Sequence, residues 1–131
     1  MHYRVTSPAT PNYNCIAWAA EDDSQWWEPD PWGNYYWPEG IPRICTIDAL
    51  VKVFLKLGYE LCADLEKEDG FKKVALYADD FDNYTHAARQ LENGFWTSKI
   101  GRSEDIEHEP KTLDLLVPEY GNVRFIMKKK I

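Results

Sequence analysis

Two side chains of this sequence could form a nucleophile and its base. The stretch NYNCIAWA places Cys15 at the start of a short helix, which the helix-forming residues CIAWAAED predict. Unpaired N–H groups and the positive end of the helix dipole favour a thiolate at that position. His86 lies beside small residues in a predicted strand, where another element can approach its imidazole ring. Cys15 and His86 therefore predict covalent attack on an amide or other acyl bond.

A purely structural role is the alternative for both residues. A cysteine in an apolar helix usually packs in the core, and a strand histidine can bind a backbone carbonyl. Cys45 and Cys62 flank a packing helix and are expected to be ordinary thiols. His108, in the acidic stretch EDIEHEP, is expected to be a solvated turn residue.

No bound metal and no cofactor are predicted. The side chains that could ligate zinc are spread along the chain: Cys15, His86, Asp105 and His108. Zinc sites usually begin with a close pair of ligands, such as CxxC or HExxH, and the sequence contains neither.

An aromatic and proline-rich loop covers residues 24–43. It contains four tryptophans: Trp26, Trp27, Trp32 and Trp37. Prolines and glycines interrupt every regular period in this segment. The loop is either a long connection pinned to the core by large rings or one wall of a ligand groove, and some rings could serve both purposes. As a wall, it would contact a peptide, an amide or a glycan-containing ligand.

The remaining elements predict the fold class. An amphipathic helix begins after the N-cap residue Thr46 and ends at Gly58. Helices precede strands along the chain, which predicts an α+β fold with N-terminal helices packed on a small antiparallel sheet. The predicted strands are residues 71–79, 84–91, 95–100 and 122–128, and the second and third form a hairpin about Asn93-Gly94.

The composition is that of a folded acidic domain. The chain has 131 residues, of which 44% are hydrophobic, and a formal net charge of −7. This length fits a single domain over residues 1–131. The one basic run, Lys128–Lys130, is too short for a phosphate-binding surface, so no nucleic-acid partner is expected.

The cytoplasm is the expected compartment. The sequence has no apolar segment of the kind that a signal peptide or a membrane span requires, so no membrane partner is expected either. Its three cysteines are an odd number without a CxxC pair, which leaves at least one free thiol. Secretion that uses no cleaved signal is the alternative.

Five motifs resemble a known group of proteins. In chain order they are NYNCIAWA, KVALYAD, THAARQL, WTSKIG and DIEH, and together they resemble a group of small bacterial proteins. More distantly, a cysteine at the start of a helix followed by a strand histidine is similar to the papain-like cysteine hydrolases, including the small NlpC-type peptidases and amidases. The resemblance implies a papain-like minimal core, a thiolate at Cys15 and His86 as general base and acid.

The resemblance also implies two supporting roles. A polar residue should orient the imidazole of His86, and both Ser98 and Asp105 are candidates. Ser98 reaches the face of His86 only if the hairpin pairing shifts by one residue, whereas Asp105, or Glu107 beside it, would have to fold back from the end of the strand. Asn12 or Asn14 could donate to an oxyanion, although helix capping is the simpler role for Asn14.

Two functions follow from these patterns. The first is a cysteine hydrolase or acyl transferase that acts through a covalent thioester, with Cys15 attacking and His86 transferring the proton. The second is a non-catalytic binding module whose tryptophan-rich loop contacts a partner, for example in a bacterial toxin, immunity or defence system.

Overall fold

The protein is built on one antiparallel sheet. The computed structural model describes residues 3–7, 10–100, 105–109 and 121–131. Within those ranges the strands are β1 (Tyr3–Ser7), β2 (Glu60–Cys62), β3 (Phe71–Ala78), β4 (Tyr84–Gln90), β5 (Trp96–Lys99), β6 (Asp105–His108) and β7 (Asn122–Lys130). The two helices are α1 (Cys15–Ala19) and α2 (Ile47–Lys56). Neither helix is long and apolar enough to cross a bilayer.

The strand order is β1-β6-β5-β4-β3-β7-β2, and every pairing is antiparallel. Strands β3 to β6 follow one another as a meander, and β7 returns to pair with the other side of β3. The strands β1 and β2 lie at the two edges. The chain therefore enters the sheet before α1 and completes it after both helices.

The predicted fold class is wrong. Within the described residues the fold is mostly a seven-stranded sheet with two short helices, so the helices are not an N-terminal layer on a small sheet and there is no papain-like minimal core. The additional strands β1, β2 and β6 are at most five residues long. Such short segments become strands through their neighbours in the sheet rather than through their own propensity.

The sheet has two faces with separate cores. The face under the helices, here called the helix face, includes Val74, Leu76, Ala78, Ala87 and Met127. The opposite face carries a smaller cluster: Ala75, Tyr77, Ala88, Trp96 and Ile106. Side chains alternate between the faces along a strand, so adjacent residues of β4 contribute to different cores.

Both predicted helices are confirmed. The Asn14 side chain caps α1 by accepting from the backbone N–H of Ala17, and the Thr46 side chain caps α2 by accepting from that of Ala49. Helix α1 is fixed on the sheet by Trp18, whose indole N–H donates to Thr97 Oγ1 on β5 at 3.0 Å. Helix α2 buries one apolar stripe: Ile47, Ala49, Leu50, Val53 and Phe54.

The β4–β5 hairpin turns through a longer loop than the Asn93-Gly94 pair predicts. The N–H of Leu91 donates to the carbonyl of Phe95, and Arg89 pairs with Thr97. A two-residue turn would have paired Arg89 with Ser98 instead. The shift by one residue places Ser98 on the opposite face of the sheet, which is also the face of His86.

Candidate functional site

Cys15 is the first residue of α1 and is half-buried beside the helix-face core. Burial raises the pKa of its thiol to about 11, although backbone hydrogen bonds from Ala87 and Ile16 and the charge of Lys99 act in the other direction. A thiol with that pKa is protonated at neutral pH. At this position burial outweighs the effect of the helix terminus, which by itself would favour the thiolate.

His86 lies on the other side of the sheet from Cys15. Its neighbour Ala87 belongs to the helix-face core, whereas the ring of His86 contacts the ring of Tyr77 on the opposite face, with centroids 5.3 Å apart. The strand alternation therefore separates the Cys15 sulfur from the imidazole by the thickness of the sheet. The structure does not bring these two predicted catalytic side chains together.

The two candidates for the orienting residue also divide between the faces. Ser98 Oγ lies 2.9 Å from His86 Nε2, so it does contact the predicted base. Asp105 lies on the helix face, where its Oδ2 accepts from the hydroxyl of Tyr13 at 2.5 Å. Each face thus holds one half of the predicted site: Cys15 and Asp105 on one, His86 and Ser98 on the other.

Ser98 is the centre of a chain of hydrogen bonds between two histidines. His108 Nδ1 donates to the carbonyl of Glu109 at 2.7 Å, because a carbonyl oxygen can only accept. In the neutral ring, His108 Nε2 then accepts from the Ser98 hydroxyl at 2.8 Å, and His86 Nε2–H donates to Ser98 Oγ. All three side chains are 0% exposed, so no substrate reaches this hydroxyl. The chain of bonds supports the fold.

The burial of His86 makes stability depend on pH. Burial, together with nearby His108, lowers the pKa of His86 from 6.5 to about 3. Below pH 6.5 the unfolded protein therefore binds a proton that the folded protein does not, and stability is lost as the pH falls from about 6.5 towards 3. We expect urea unfolding between pH 7 and 4.5 to show a slope of up to about 1.4 kcal/mol per pH unit. The slope should be clearly smaller in His86→Gln, and an equal slope in both proteins would contradict this origin.

Asn14 fastens the aromatic loop to α1. Besides capping the helix, its Oδ1 accepts from the N–H of Trp27 at 3.2 Å, and its Nδ2 donates to the carbonyl of Trp27 at 2.6 Å. The capping interpretation of Asn14 is confirmed, with this second role added. Asn12 is exposed, and its backbone N–H binds Thr10 Oγ1.

Two of the four tryptophans pin the aromatic loop to the core. Trp27 and Trp37 are buried. The indole N–H of Trp27 donates to Asp22 Oδ2 at 2.8 Å, and that of Trp37 donates to the carbonyl of Pro42 at 3.0 Å. Every polar atom of these two rings is therefore bonded, which is what burial of an indole requires.

The tip of the loop is fixed by Asp30. Its carboxylate accepts from the backbone N–H groups of Asn34 and Tyr35 at 2.7 and 3.1 Å, and from Arg43 at 3.0 Å. Desolvation opposes the charged form, but these hydrogen bonds and the guanidinium together hold the pKa of Asp30 below its ordinary value. The turn that carries Trp32 is thus held by its own hydrogen bonds.

Trp32 stands in solvent at this tip. It is 81% exposed and lies beside a cleft of about 360 Å³, here called the Trp32 cleft. Tyr84 also lines the cleft, and its ring stacks on Trp37 with centroids 6.4 Å apart. Trp26 is half-buried and donates its indole N–H to Glu28 Oε1 at 3.1 Å. The lining residues are Glu28, Pro29, Asp30, Pro31, Trp32, Cys45 and Tyr84.

Several buried polar residues were not predicted from the sequence, and His108 and Lys99 are the two nearest the candidate site. The expectation of a solvated turn at His108 is wrong, because this residue is buried in β6. In the motif DIEH, Ile106 and His108 alternate with the acidic residues Asp105 and Glu107, and this alternation is the sequence signal for a strand that buries His108. Lys99 is also fully buried, and desolvation lowers its pKa although Asp105 and Cys15 favour the charged form. Among the described residues, no cluster of histidine, cysteine and acidic side chains could hold a metal ion.

The state of Cys15 predicts its reactivity. With a pKa near 11, its thiol should react with iodoacetamide at pH 7 more slowly than the exposed thiol of Cys45. Mass-spectrometric mapping after brief alkylation of the folded protein measures both sites in one sample. Preferential labelling of Cys15 at pH 6–7 would instead indicate an activated thiolate.

These features define the protein as an antiparallel-sheet domain. Its aromatic loop is pinned to the core and lies beside a small cleft. The chain belongs to the family described as Domain of unknown function (DUF7689), which matches residues 4–128. No curated protein and no solved structure matches the sequence. A relationship of activity with the papain-like hydrolases therefore stays a prediction from the sequence motifs.

Proposed function

We propose that the protein is a binding module that recognises its ligand through the Trp32 cleft. One observation carries this proposal: Trp32 is 81% exposed on a loop whose neighbouring rings and tip are held by hydrogen bonds. Leaving an indole in water forgoes about 1.5–3 kcal/mol of burial, so a loop that holds it there leaves a favourable contact for a partner.

The rigidity of the loop supports recognition. Ordering a mobile loop during binding costs affinity, and a loop fixed in advance avoids that cost. The clamp by Asn14 and the turn around Asp30 provide this preorganisation. The cleft volume of about 360 Å³ lies at the lower end of the range for ligand sites, about 300–1,000 Å³.

A cysteine hydrolase or acyl transferase at Cys15 has less support. Its thiol is protonated at neutral pH, and the predicted base His86 lies on the other face of the sheet. A binding module needs neither a thiolate at Cys15 nor contact between Cys15 and His86. We also propose that the protein works in the cytoplasm, since its three cysteines are all free thiols. Cell fractionation tests the compartment.

Matched variants test the binding proposal. Wild-type protein is screened against a random peptide display library and a glycan array, and affinities for the recovered ligands are measured for Trp32→Ala and Phe81→Ala. Phe81 is the control because it is 83% exposed but lies outside the cleft. We expect Trp32→Ala to weaken binding at least about 10-fold and Phe81→Ala to leave it within about twofold. Equal effects of both variants, or no ligand in either screen, would overturn the proposal.

A further inference from the structure

We infer that the ligand of the Trp32 cleft is an extended peptide segment that contains proline and carries a basic residue. This inference rests on the proposed binding function and adds the class of the ligand. It follows from three properties of the cleft, which are the shape of its walls, its few available polar groups and its charge.

The walls suit an extended proline-containing chain. The lining includes two aromatic side chains, Trp32 and Tyr84, and two rigid pyrrolidine rings, those of Pro29 and Pro31. A polyproline II segment has three residues per turn and is already ordered before binding, so it docks between such walls with little loss of entropy. A flexible aliphatic chain would lose more entropy for the same contacts.

The cleft offers few polar groups to a ligand. Sugar recognition relies on several side chains that can bond ring hydroxyls. The Asp30 carboxylate is already used by Asn34, Tyr35 and Arg43, so it serves the loop instead. Besides Asp30, the polar side-chain groups of the lining are the Glu28 carboxylate, the Cys45 thiol, the Tyr84 hydroxyl and the indole N–H of Trp32. This set is small for a glycan and sufficient for a mostly apolar peptide.

The charge of the cleft specifies a basic residue. Its lining residues include two carboxylates and no lysine, arginine or histidine. Asp30 is already paired with Arg43 at 3.0 Å, so the carboxylate whose charge is left for a ligand is that of Glu28, on a chain whose net charge is −7. One oxygen of Glu28 accepts from the Trp26 indole. A carboxylate has acceptor capacity for more than one donor, so the same group can also bind a guanidinium or an ammonium. An acidic peptide would be repelled.

The test begins with sequences recovered by wild-type protein from a random twelve-residue peptide library. We expect proline and either arginine or lysine to be enriched at least about threefold over the input library. The best peptide is then synthesised together with a Pro→Ala analogue and an Arg→Gln or Lys→Gln analogue. Each peptide is titrated by tryptophan fluorescence against wild-type protein and Glu28→Gln, a variant that keeps an acceptor for Trp26.

Loss of the charge should act only on the basic peptide. We expect Glu28→Gln to weaken binding of the parent peptide about 5- to 10-fold and to leave the neutral analogue unchanged, and added salt to weaken only the parent. The Pro→Ala analogue should bind at least about fivefold more weakly. Selected peptides without this enrichment, or Trp32-dependent glycan binding alone, would overturn the ligand class and leave the binding function standing. Ligands that bind Trp32→Ala as tightly as wild-type protein would instead overturn the proposed binding function.

Discussion

Replacing Gly121 with alanine is expected to destabilise the protein by at least about 3 kcal/mol. Gly121 has a φ of +73°, and a Cβ placed there would overlap the carbonyl oxygen of Ala78 and lie 3.1 Å from its carbonyl carbon. The left-handed conformation alone costs a non-glycine residue about 1–2 kcal/mol. The overlap adds to this because the carbonyl belongs to β3, the central partner of β7, and cannot move without disturbing the ladder.

Gly33→Ala separates the two causes. Gly33 has nearly the same φ, +71°, and a Cβ at this position would have no other atom within 4 Å. This variant should therefore lose only the conformational part, about 1–2 kcal/mol. Urea unfolding followed by circular dichroism measures both free energies of unfolding. If Gly121→Ala is insoluble on expression and Gly33→Ala is soluble, that result also supports the larger loss of stability at Gly121. Equal losses of unfolding free energy in the two variants would show that the Ala78 carbonyl can move aside without a cost in stability.

Asn14→Ala is expected to cost a similar amount, at least about 3 kcal/mol. Loss of the helix cap accounts for about 1 kcal/mol. The backbone N–H and C=O of Trp27 would also lose their partner, and each buried polar group left unpaired costs about 1–3 kcal/mol. Because Asn14 joins α1 to the aromatic loop, the same change should release the loop and weaken ligand binding.

Asn12→Ala is the matched control for this variant. Asn12 lies two residues earlier in the same motif but is exposed, and its hydrogen bond to Thr10 uses the backbone N–H. Its replacement should change the free energy of unfolding by no more than about 0.5 kcal/mol. Thermal unfolding of both variants measures the difference. An Asn14→Ala protein as stable as Asn12→Ala would show that the clamp contributes little.

Local signals in the sequence were sufficient for the helices and for the long strands. Asn14 and Thr46 are N-cap residues whose side chains accept from a backbone N–H three positions later, which needs no information from elsewhere in the chain. The β-favouring runs of β3 and β7 are likewise confirmed, at Phe71–Ala78 and Asn122–Lys130. Such features depend on residues that are close in sequence.

Which side chains share a face of the sheet could not be predicted in the same way. A shift of one residue in the β4–β5 loop decides whether Ser98 or Lys99 shares a face with His86. That shift is set by the bond from Leu91 to Phe95, which competes with an equally reasonable Asn93-Gly94 turn. The separation of Cys15 from His86 follows from packing between distant elements.

The sequence also did not show which tryptophans are exposed and which are buried. The four rings are chemically identical, and what distinguishes them is the partner that each indole finds. Asp22 and Pro42 accept from Trp27 and Trp37, so those two rings can be buried. Trp32 sits at the tip of the turn around Asp30, and its ring stays in water. Loop geometry rather than residue type selects the ring that can meet a ligand.

The most direct test compares two single variants against one ligand. The highest-affinity ligand recovered in the screens is titrated by calorimetry into wild-type protein, Trp32→Ala and Cys15→Ser. Binding at the Trp32 cleft predicts that Trp32→Ala raises the Kd at least about 10-fold, while Cys15→Ser leaves it within about threefold. Loss of binding in Cys15→Ser with an unchanged Kd in Trp32→Ala would contradict the proposal and return the function to the thiol.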